Sequence, residues 1–349
     1  MGRLKFERAL HEVELCDPAS GFAPEVQLVE HRRDPLTGAL CRINIKRAGR
    51  VKEGARWGAD TLAPPRVSEA DCIFCTRNIE AMTPRFPDRF IKGGRFRVDS
   101  AILFPNLYPF SKYHGIAVMH EAHNPPLNKI DPGSLRDCVK ACIEFLKVVR
   151  GRDPEAIYGS INWNHMPPAG ASIIHPHLQT IADPVPTRLQ SELLRCSESY
   201  FRRHGSNYWI DLIEAEAELG ERVIHKGRSI VWLTSYAPMG NNEVLAISPG
   251  TSSIFELDGT RLEELSAGLS KILKGYWDLG IGSFNMSILP GPLDREVEYY
   301  SLNLRVVSRP SPEAHYTSDC GFMERIHLES VVESKPEAVA ERLRGAFVD

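Results

Sequence analysis

Two stretches of the chain carry the same order of apolar and polar positions. PFSKYHGIAVMHEAH (109–123) has a proline-containing start, a polar turn, an apolar strand and a polar exit, and so does APMGNNEVLAISPGT (237–251). A helical pattern follows each. In the first, Asp131-Pro132 supplies an N-cap and a proline at the first helical position. Leu135, Val139, Cys142, Leu146 and Val149 then recur at helical spacing. In the second, the stripe is Leu262, Leu265, Leu269, Ile272 and Tyr276. SINWNHMPP (160–168) then matches FNMSILPGP (284–292), and His175–Gln179 matches Ser301–Arg305. A long-period match of this kind marks duplication of one structural unit. FRVDSAILF, GIAVMH, SINWNHM and SIIHPHLQTIA (172–182) read as strands from their β-branched content and bounding turn residues. Residues 1–70 read as irregular, with short extended pieces and a basic strand end turning at HRRDPLTG (31–38). The pattern predicts an α+β fold of two related halves, 1–184 and 185–349, with mainly antiparallel sheets and packed helices.

Composition narrows the function classes. The 349 residues are 42% hydrophobic and 25% charged, enough for a core without staples. Lys and Arg number 42 against 45 Asp and Glu, a formal charge of −3, so no broad basic surface for nucleic acid is expected. No apolar run reaches the length of a membrane span, and MGRLKFERALHEVEL lacks the apolar stretch of a signal peptide. The expectation is a cytoplasmic protein with neither nucleic-acid nor membrane partners. Six of the eight cysteines are scattered and read as small buried hydrophobes or bystander thiols, while Cys72 and Cys75 form a C-x-x-C pair suited to metal or redox chemistry. EAEAELGER (214–222) reads as a solvated helix face.

The chemistry concentrates in one copy of the repeat. His175-Pro176-His177-Leu178-Gln179 carries imidazoles where the second copy has Ser301, Asn303 and Arg305, so one active centre per chain is expected. On a strand, His175, His177 and Gln179 share a face. Pro167–Ser172 upstream is a small-residue loop able to present backbone N–H groups to a phosphate. Cys72, Cys75 and His175 can ligate a metal, with His114, His120 or His123 as a fourth ligand; thiolates with imidazole favour zinc in a closed, structural site. His177 is then the reactive group. A neutral imidazole can attack phosphorus without an activating base and form a phosphoramidate. Gln179 can donate to phosphate oxygens. No phosphate-binding P-loop, dinucleotide fingerprint or nucleophile elbow is present.

These residues resemble the galactose-1-phosphate uridylyltransferase family, the two-half branch of the histidine-triad superfamily. HRRDPLTG with RAGR (47–50) is similar to that family's R-x-(D/N)-P-L-T-G…R-A-x-R start, and DCIFC to its zinc C-x-x-C. Asn164…Gly170-x-Ser172-x-x-His175-Pro176-His177-x-Gln179 is similar to its catalytic run, spacing included, and EAVAERLR (337–344) to its closing helix. The resemblance implies two histidine-triad-like halves, the first with the zinc site and the catalytic residues, the second a degenerate repeat contributing to the sugar site. It implies double displacement. His177 takes a nucleoside monophosphate, UMP favoured, from an NDP-sugar, and a hexose 1-phosphate or phosphate collects it. Gln179, Ser172, Asn164 and the Gly170 backbone would bind phosphates, and His123 would be the fourth zinc ligand. Arg32 and Arg33 map to arginines that approach the nucleotide phosphates, in part from a neighbouring subunit, which implies a homodimer. Ile73 and Phe74 would wall the base, with Phe104 and Asn106 near base and ribose. Three departures stand out. Leu107 replaces the ribose-contacting acid, Ser301 and Asn303 replace the histidines of an additional metal site, and 319–334 matches the sugar-binding stretch poorly. Alternatives are an ADP-sugar or other NDP-sugar phosphorylase, a dinucleoside polyphosphate phosphorylase or hydrolase, and a non-catalytic nucleotide sensor.

Overall fold

In the computed structural model, residues 4–49, 68–119, 123–312 and 318–348 are described. Arg50 of the RAGR stretch, His120 and His315 lie outside them.

The N-terminal region is more regular than its composition implies. Strands β1 (Arg8–Asp17) and β2 (Ala23–Arg33) form a long antiparallel hairpin, from Arg8 opposite Arg32 to Asp17 opposite Ala23. Its tip turns at Gly21 and Phe22, both at positive φ. Strand β3 (Leu40–Ile43) pairs with β2, and β14 (Ser330–Val332), far along the chain, adds in parallel to β3. The turn after β2 is built by Asp34, whose Oδ1 accepts from the N–H of Leu36 and Thr37 and from the Thr37 hydroxyl.

Ten strands form the main sheet. In the first half they are β4 (Phe96–Val98), β5 (Ala101–Pro105), β6 (Tyr113–Met119), β7 (Tyr158–His165) and β8 (His177–Asp183). In the second they are β9 (Val223–Lys226), β10 (Val231–Thr234), β11 (Val244–Ile247), β12 (Phe284–Leu289) and β13 (Asn303–Ser308). The spatial order is β4-β5-β6-β8-β7-β12-β13-β11-β10-β9, so each half repeats one internal order and the two meet at β7 and β12. A helix stands at the same place in each half, α2 (Pro132–Arg152) and α5 (Gly259–Asp278). Asp131 caps α2 through Ser134 N at 2.7 Å, with Pro132 in its first turn.

Two strand expectations shift. FRVDSAILF is not one strand but the hairpin β4–β5, with Val98 opposite Ala101. Asp99 takes φ +49 at the turn, a conformation Asp tolerates, and Ser100 anchors it by donating to Asp137 of α2. The strand expected from residue 172 begins at His177. Pro176, without an N–H to donate, ends the preceding turn, and its carbonyl accepts from Met119 N.

Alternation along the strands sorts the sheet's two faces. Leu103, Ala117, Leu178, Ile161, Trp163, Met286, Ile288, Leu304 and Ala246 face α2 and α5 in one continuous core. On the opposite face, α3 (Arg188–His204) and α4 (Tyr208–Leu219) cover the second half through Val231, Leu233, Leu245 and Ile247. Strands β5 and β6 of the first half are covered by Cys72, Phe74 and, on the short helix α1 (Thr76–Met82), Ile79, packed on Ile102, Phe104, Ile116 and Val118. Between these two covers, part of the sheet face stays open. Among the described residues no helix is long and apolar enough to cross a membrane.

The expectation of a solvated face at 214–222 holds for Glu214, Glu218 and Glu221, which are exposed, but not for Glu216. Glu216 is fully buried, and Arg222 Nε donates to it at 2.9 Å. Arg222 also reaches Glu337 of α6 (Pro336–Arg344) at 2.8 Å, and Arg32 donates to Glu337 at 2.7 Å and to Glu30 at 2.8 Å. Both guanidinium groups stack over the Tyr236 ring. Burial alone would raise the Glu337 carboxyl; the hydrogen bonds and charges of Arg32 and Arg222 outweigh it and bring it down to about 2. This carboxyl is more acidic in the fold than its ordinary 4.5, so its contribution is complete above 4.5 and fades as the pH falls toward 2. Glu337→Gln is expected to cost about 2 kcal/mol at neutral pH. The gap to wild type in denaturant melts should narrow on acidification through that window; a gap independent of pH would rule out the ion-pair origin.

Candidate active site

The open part of the sheet face forms a cleft of about 820 Å³. His177 opens β8 and points into it, while Leu178 and Thr180 point to the helix side. The His177 ring is buried, and Nδ1 lies 2.8 Å from the carbonyl oxygen of His175. Nδ1 therefore carries the proton and donates, which leaves the Nε2 lone pair free. Burial lowers this imidazole below its ordinary pKa, against the pull of the His175 carbonyl, so the ring is neutral near pH 7. The Phe74 ring stands against it at 5.1 Å between centroids.

Gln179 lies two residues on, on the same face, and lines the cleft. His114 on β6 holds it, with Nε2 2.9 Å from Gln179 Oε1. Asn106 lies 3.2 Å from the same imidazole nitrogen and accepts from Tyr108 N. Ile73, Phe74, Phe104 and Asn106 line one end of the cleft, and Asn164, Gly170 and Ser172 lie closer to His177 in sequence and on adjoining elements. Gly170 has φ +88, which a side chain would strain. Its N–H donates to Pro167 O, and those of Ala169 and Ala171 to Met166 O. These donors are spent within the loop, so Gly170 supplies shape there rather than a free N–H.

Cys72, Cys75, His123 and His175 come together beside the cleft, their ligand atoms all within 4.8 Å of one another. Cys75 Sγ lies 3.4 Å from His123 Nδ1 and 3.6 Å from His175 Nδ1, and Cys72 Sγ lies 3.8 Å from the latter. His175 Nε2 donates to Met119 O at 2.8 Å, which turns Nδ1 toward the thiols. Burial, then the neighbouring Cys72 thiol, push the Cys75 thiol up to about 11, so Cys75 keeps its proton unless a cation displaces it. Four soft and borderline donors in a buried tetrad can hold a metal ion. His123 stands in this group; His114 is given over to Gln179.

Arg32 and Arg33 are not brought to the cleft of their own chain. Arg32 is buried in the Glu337 network, and Arg33 donates to Gly38 O at 3.3 Å. Conversely, Ser160, Asn162, Asn285 and Ser287 line the cleft and escaped the sequence reading. Their signal was the alternation of small polar residues in S-I-N-W-N and F-N-M-S, here on neighbouring strands with Asn164 opposite Asn285 and Asn162 opposite Ser287. Leu107, Tyr108 and Phe110 form an exposed apolar rim. In the second half, Asn303 Nδ2 donates to Ser301 O at 3.2 Å, the same backward hydrogen bond His177 makes, and Arg305 pairs with Glu243. The geometry is repeated there without a nucleophile.

No family model matches the chain. It is 30% identical over 334 residues to an uncharacterized protein of Archaeoglobus fulgidus, covering 95% of this chain and 97% of that one. It is 24% identical over 322 residues to the ADP-glucose phosphorylase of Arabidopsis thaliana, covering 83% and 87%. It is 24% identical over 292 residues to the galactose-1-phosphate uridylyltransferase of Saccharomyces cerevisiae, covering 76% and 79%. The crystal structure of an Arabidopsis thaliana ADP-glucose phosphorylase with bound ADP-glucose shares the fold, with a TM-score of 0.71 at 21% identity over 90% of this chain and 98% of that one. A uridylyltransferase structure has a TM-score of 0.67 at 20% identity, covering 91% and 98%. Fold and relatives define an enzyme of the nucleotidyltransferase class. Over most of its length the chain is similar to members of the galactose-1-phosphate uridylyltransferase family.

Elemental analysis of the purified protein should find one metal ion per chain, largely lost in Cys75→Ser. Full metal content in that variant would remove the tetrad as the site.

Proposed function

We propose that the protein moves a nucleoside monophosphate between an NDP-sugar and a hexose 1-phosphate or inorganic phosphate through a covalent nucleotidyl-His177. One observation carries the reading: the buried His177 has Nδ1 held by its own strand and its free Nε2 in a cleft lined by amides. The Nε2 lone pair attacks the α-phosphorus, and the bond from that phosphorus to the bridging oxygen breaks. Sugar 1-phosphate leaves with the electron pair. The second phosphate oxygen then attacks phosphorus and expels the neutral imidazole. Gln179, Asn164 and Ser172 would donate to phosphate oxygens, aimed in advance where charge develops. Ile73, Phe74, Phe104 and Asn106 would hold base and ribose.

UMP is the favoured passenger. A second reading, phosphorolysis of an ADP-sugar, is favoured by the likeness to ADP-glucose phosphorylase, which spans more of both chains than the uridylyltransferase likeness does.

Zinc is the metal we assign to the tetrad. Tetrahedral bonds of about 2.3 Å to sulfur and about 2.05 Å to nitrogen set S and N about 3.6 Å apart, which matches the spacings above. A four-ligand zinc supplies rigidity, fixing the His175 turn that precedes His177. The β1–β2 hairpin supports a homodimer, since Leu10, Val26 and Leu28 share one face and are each about half exposed. Arg33, exposed at the end of β2, would be the arginine free to reach a partner's cleft. The same proposal places the protein in the cytoplasm and divides the chain at 184/185, a half that carries the chemistry and a half that lines the sugar side.

Intact-protein mass spectrometry after brief incubation with UDP-glucose or ADP-glucose tests this directly. A nucleotidyl adduct on His177 is expected, and its mass names the base. His177→Gly should melt near wild type yet label at least about 1,000-fold more slowly. Measurable nucleotide binding with no adduct from either donor would overturn the covalent route.

A further inference from the structure

One line of hydrogen bonds runs from the C-terminal segment into the cleft. Asp319 accepts from Arg309 Nε at 3.0 Å and from Nη2 at 2.6 Å. Arg309 Nη1 donates to Asn285 Oδ1 at 2.9 Å. Asn285 Nδ2 donates to Asn164 Oδ1 at 2.7 Å and to Ala169 O at 2.8 Å.

The direction of this line is forced. A guanidinium has donors and no acceptor, so the Asn285 oxygen must face Arg309. The reversed amide would set its NH2 against the guanidinium and its oxygen against two other oxygens. With the Asn285 hydrogens spent on Asn164 Oδ1 and Ala169 O, Asn164 is fixed in turn. Its oxygen is occupied, and Nδ2 is the part left to face the cleft.

We propose that Asn285, held one way round by Arg309, is a positioning residue that makes Asn164 a hydrogen-bond donor toward the transferring phosphate. An unrestrained asparagine presents oxygen as readily as nitrogen, and oxygen repels a phosphate anion. Fixing the amide beforehand removes the reorganisation that the reacting group would otherwise demand. The first half holds the reacting side chain, and the second half decides which of its atoms the substrate meets. The inference rests on the reading of Asn164 as a phosphate donor. It adds that Asn285 and Arg309, which need not touch substrate, set the rate.

The test is single-turnover labelling with whichever of UDP-glucose or ADP-glucose labels wild type. Asn285→Asp keeps the size and still pairs with Arg309, but sets an oxygen against Ala169 O, so it should fold with a modestly lowered melting point. Its carboxylate only accepts, so Asn164 must turn its nitrogen away from the cleft. Labelling at saturating donor should slow about 100-fold, with half-saturation moving far less. Arg309→Met frees the Asn285 amide to rotate and should slow labelling about tenfold, whereas Arg309→Lys retains a donor and most of the rate. A merely packing role would tolerate Asn285→Asp. Wild-type labelling rates in folded Asn285→Asp and Arg309→Met would overturn this inference alone. Absence of labelling in wild type would overturn the functional reading, and this inference with it.

Discussion

Strand β7 lies against β12 in one register, from His165 opposite Phe284 to Ile161 opposite Ile288, and the rest of the architecture hangs on that ladder. It joins two five-stranded sets into a single sheet. Side chains alternate along both strands, so the register sends Ile161, Trp163, Met286 and Ile288 to the helices and Asn162, Asn164, Asn285 and Ser287 to the cleft. A slip of one residue would turn one strand over and send either Asn162 and Asn164 or Asn285 and Ser287 into the core without a compensating partner. Core packing and cleft chemistry are therefore fixed by one hydrogen-bonding decision. Neither half can adjust its polar row without disturbing its apolar one.

The same sheet explains why a buried, neutral histidine can stand beside a polar cleft. His177 sits at the margin of the open face, with Phe74 against its ring and amides beyond it. Burial keeps the proton count at one, and the carbonyl of His175 decides which nitrogen holds it. The Cys/His tetrad contains that carbonyl's residue, so a metal at this place would stiffen the backbone that orients His177, the proposed nucleophile. The division is spatial: soft donors on one side of Pro176, the His177 imidazole on the other.

What could be read from sequence was what neighbours in sequence encode. Asp131-Pro132 fixed the start of α2 by local hydrogen bonding, and periodicity fixed its buried stripe. The C-x-x-C and H-P-H-x-Q spacings are short, and the structure gathers Cys72, Cys75, His123 and His175 in one place and His177 with Gln179 in another. The long hairpin β1–β2 stayed hidden because its alternation is blurred: apolar residues are exposed on it and charged ones intervene. Glu216 and Arg32 misled for a different reason. A charged residue in an acidic helix or a basic strand end looks solvated until its partner is known, and Glu337 meets Arg32 from 305 positions away. Asn285 and Arg309 share that opacity, since an amide's orientation is set by contacts across the sheet and leaves no local trace.

Asn303 repeats the backward hydrogen bond of His177 without its reactivity, so the chain has two geometrically similar stations and arms one of them. A single armed station imposes an order in time. Under double displacement the first sugar phosphate must vacate the place that the second will occupy, and the two exclude one another. On the proposed route the nucleotidyl group would wait on the protein between visitors, with water as the competitor in that interval. A duplicated fold with two armed stations could have passed the group between sites. With one armed station, specificity is exercised twice by the same side chains, on the way in and on the way out.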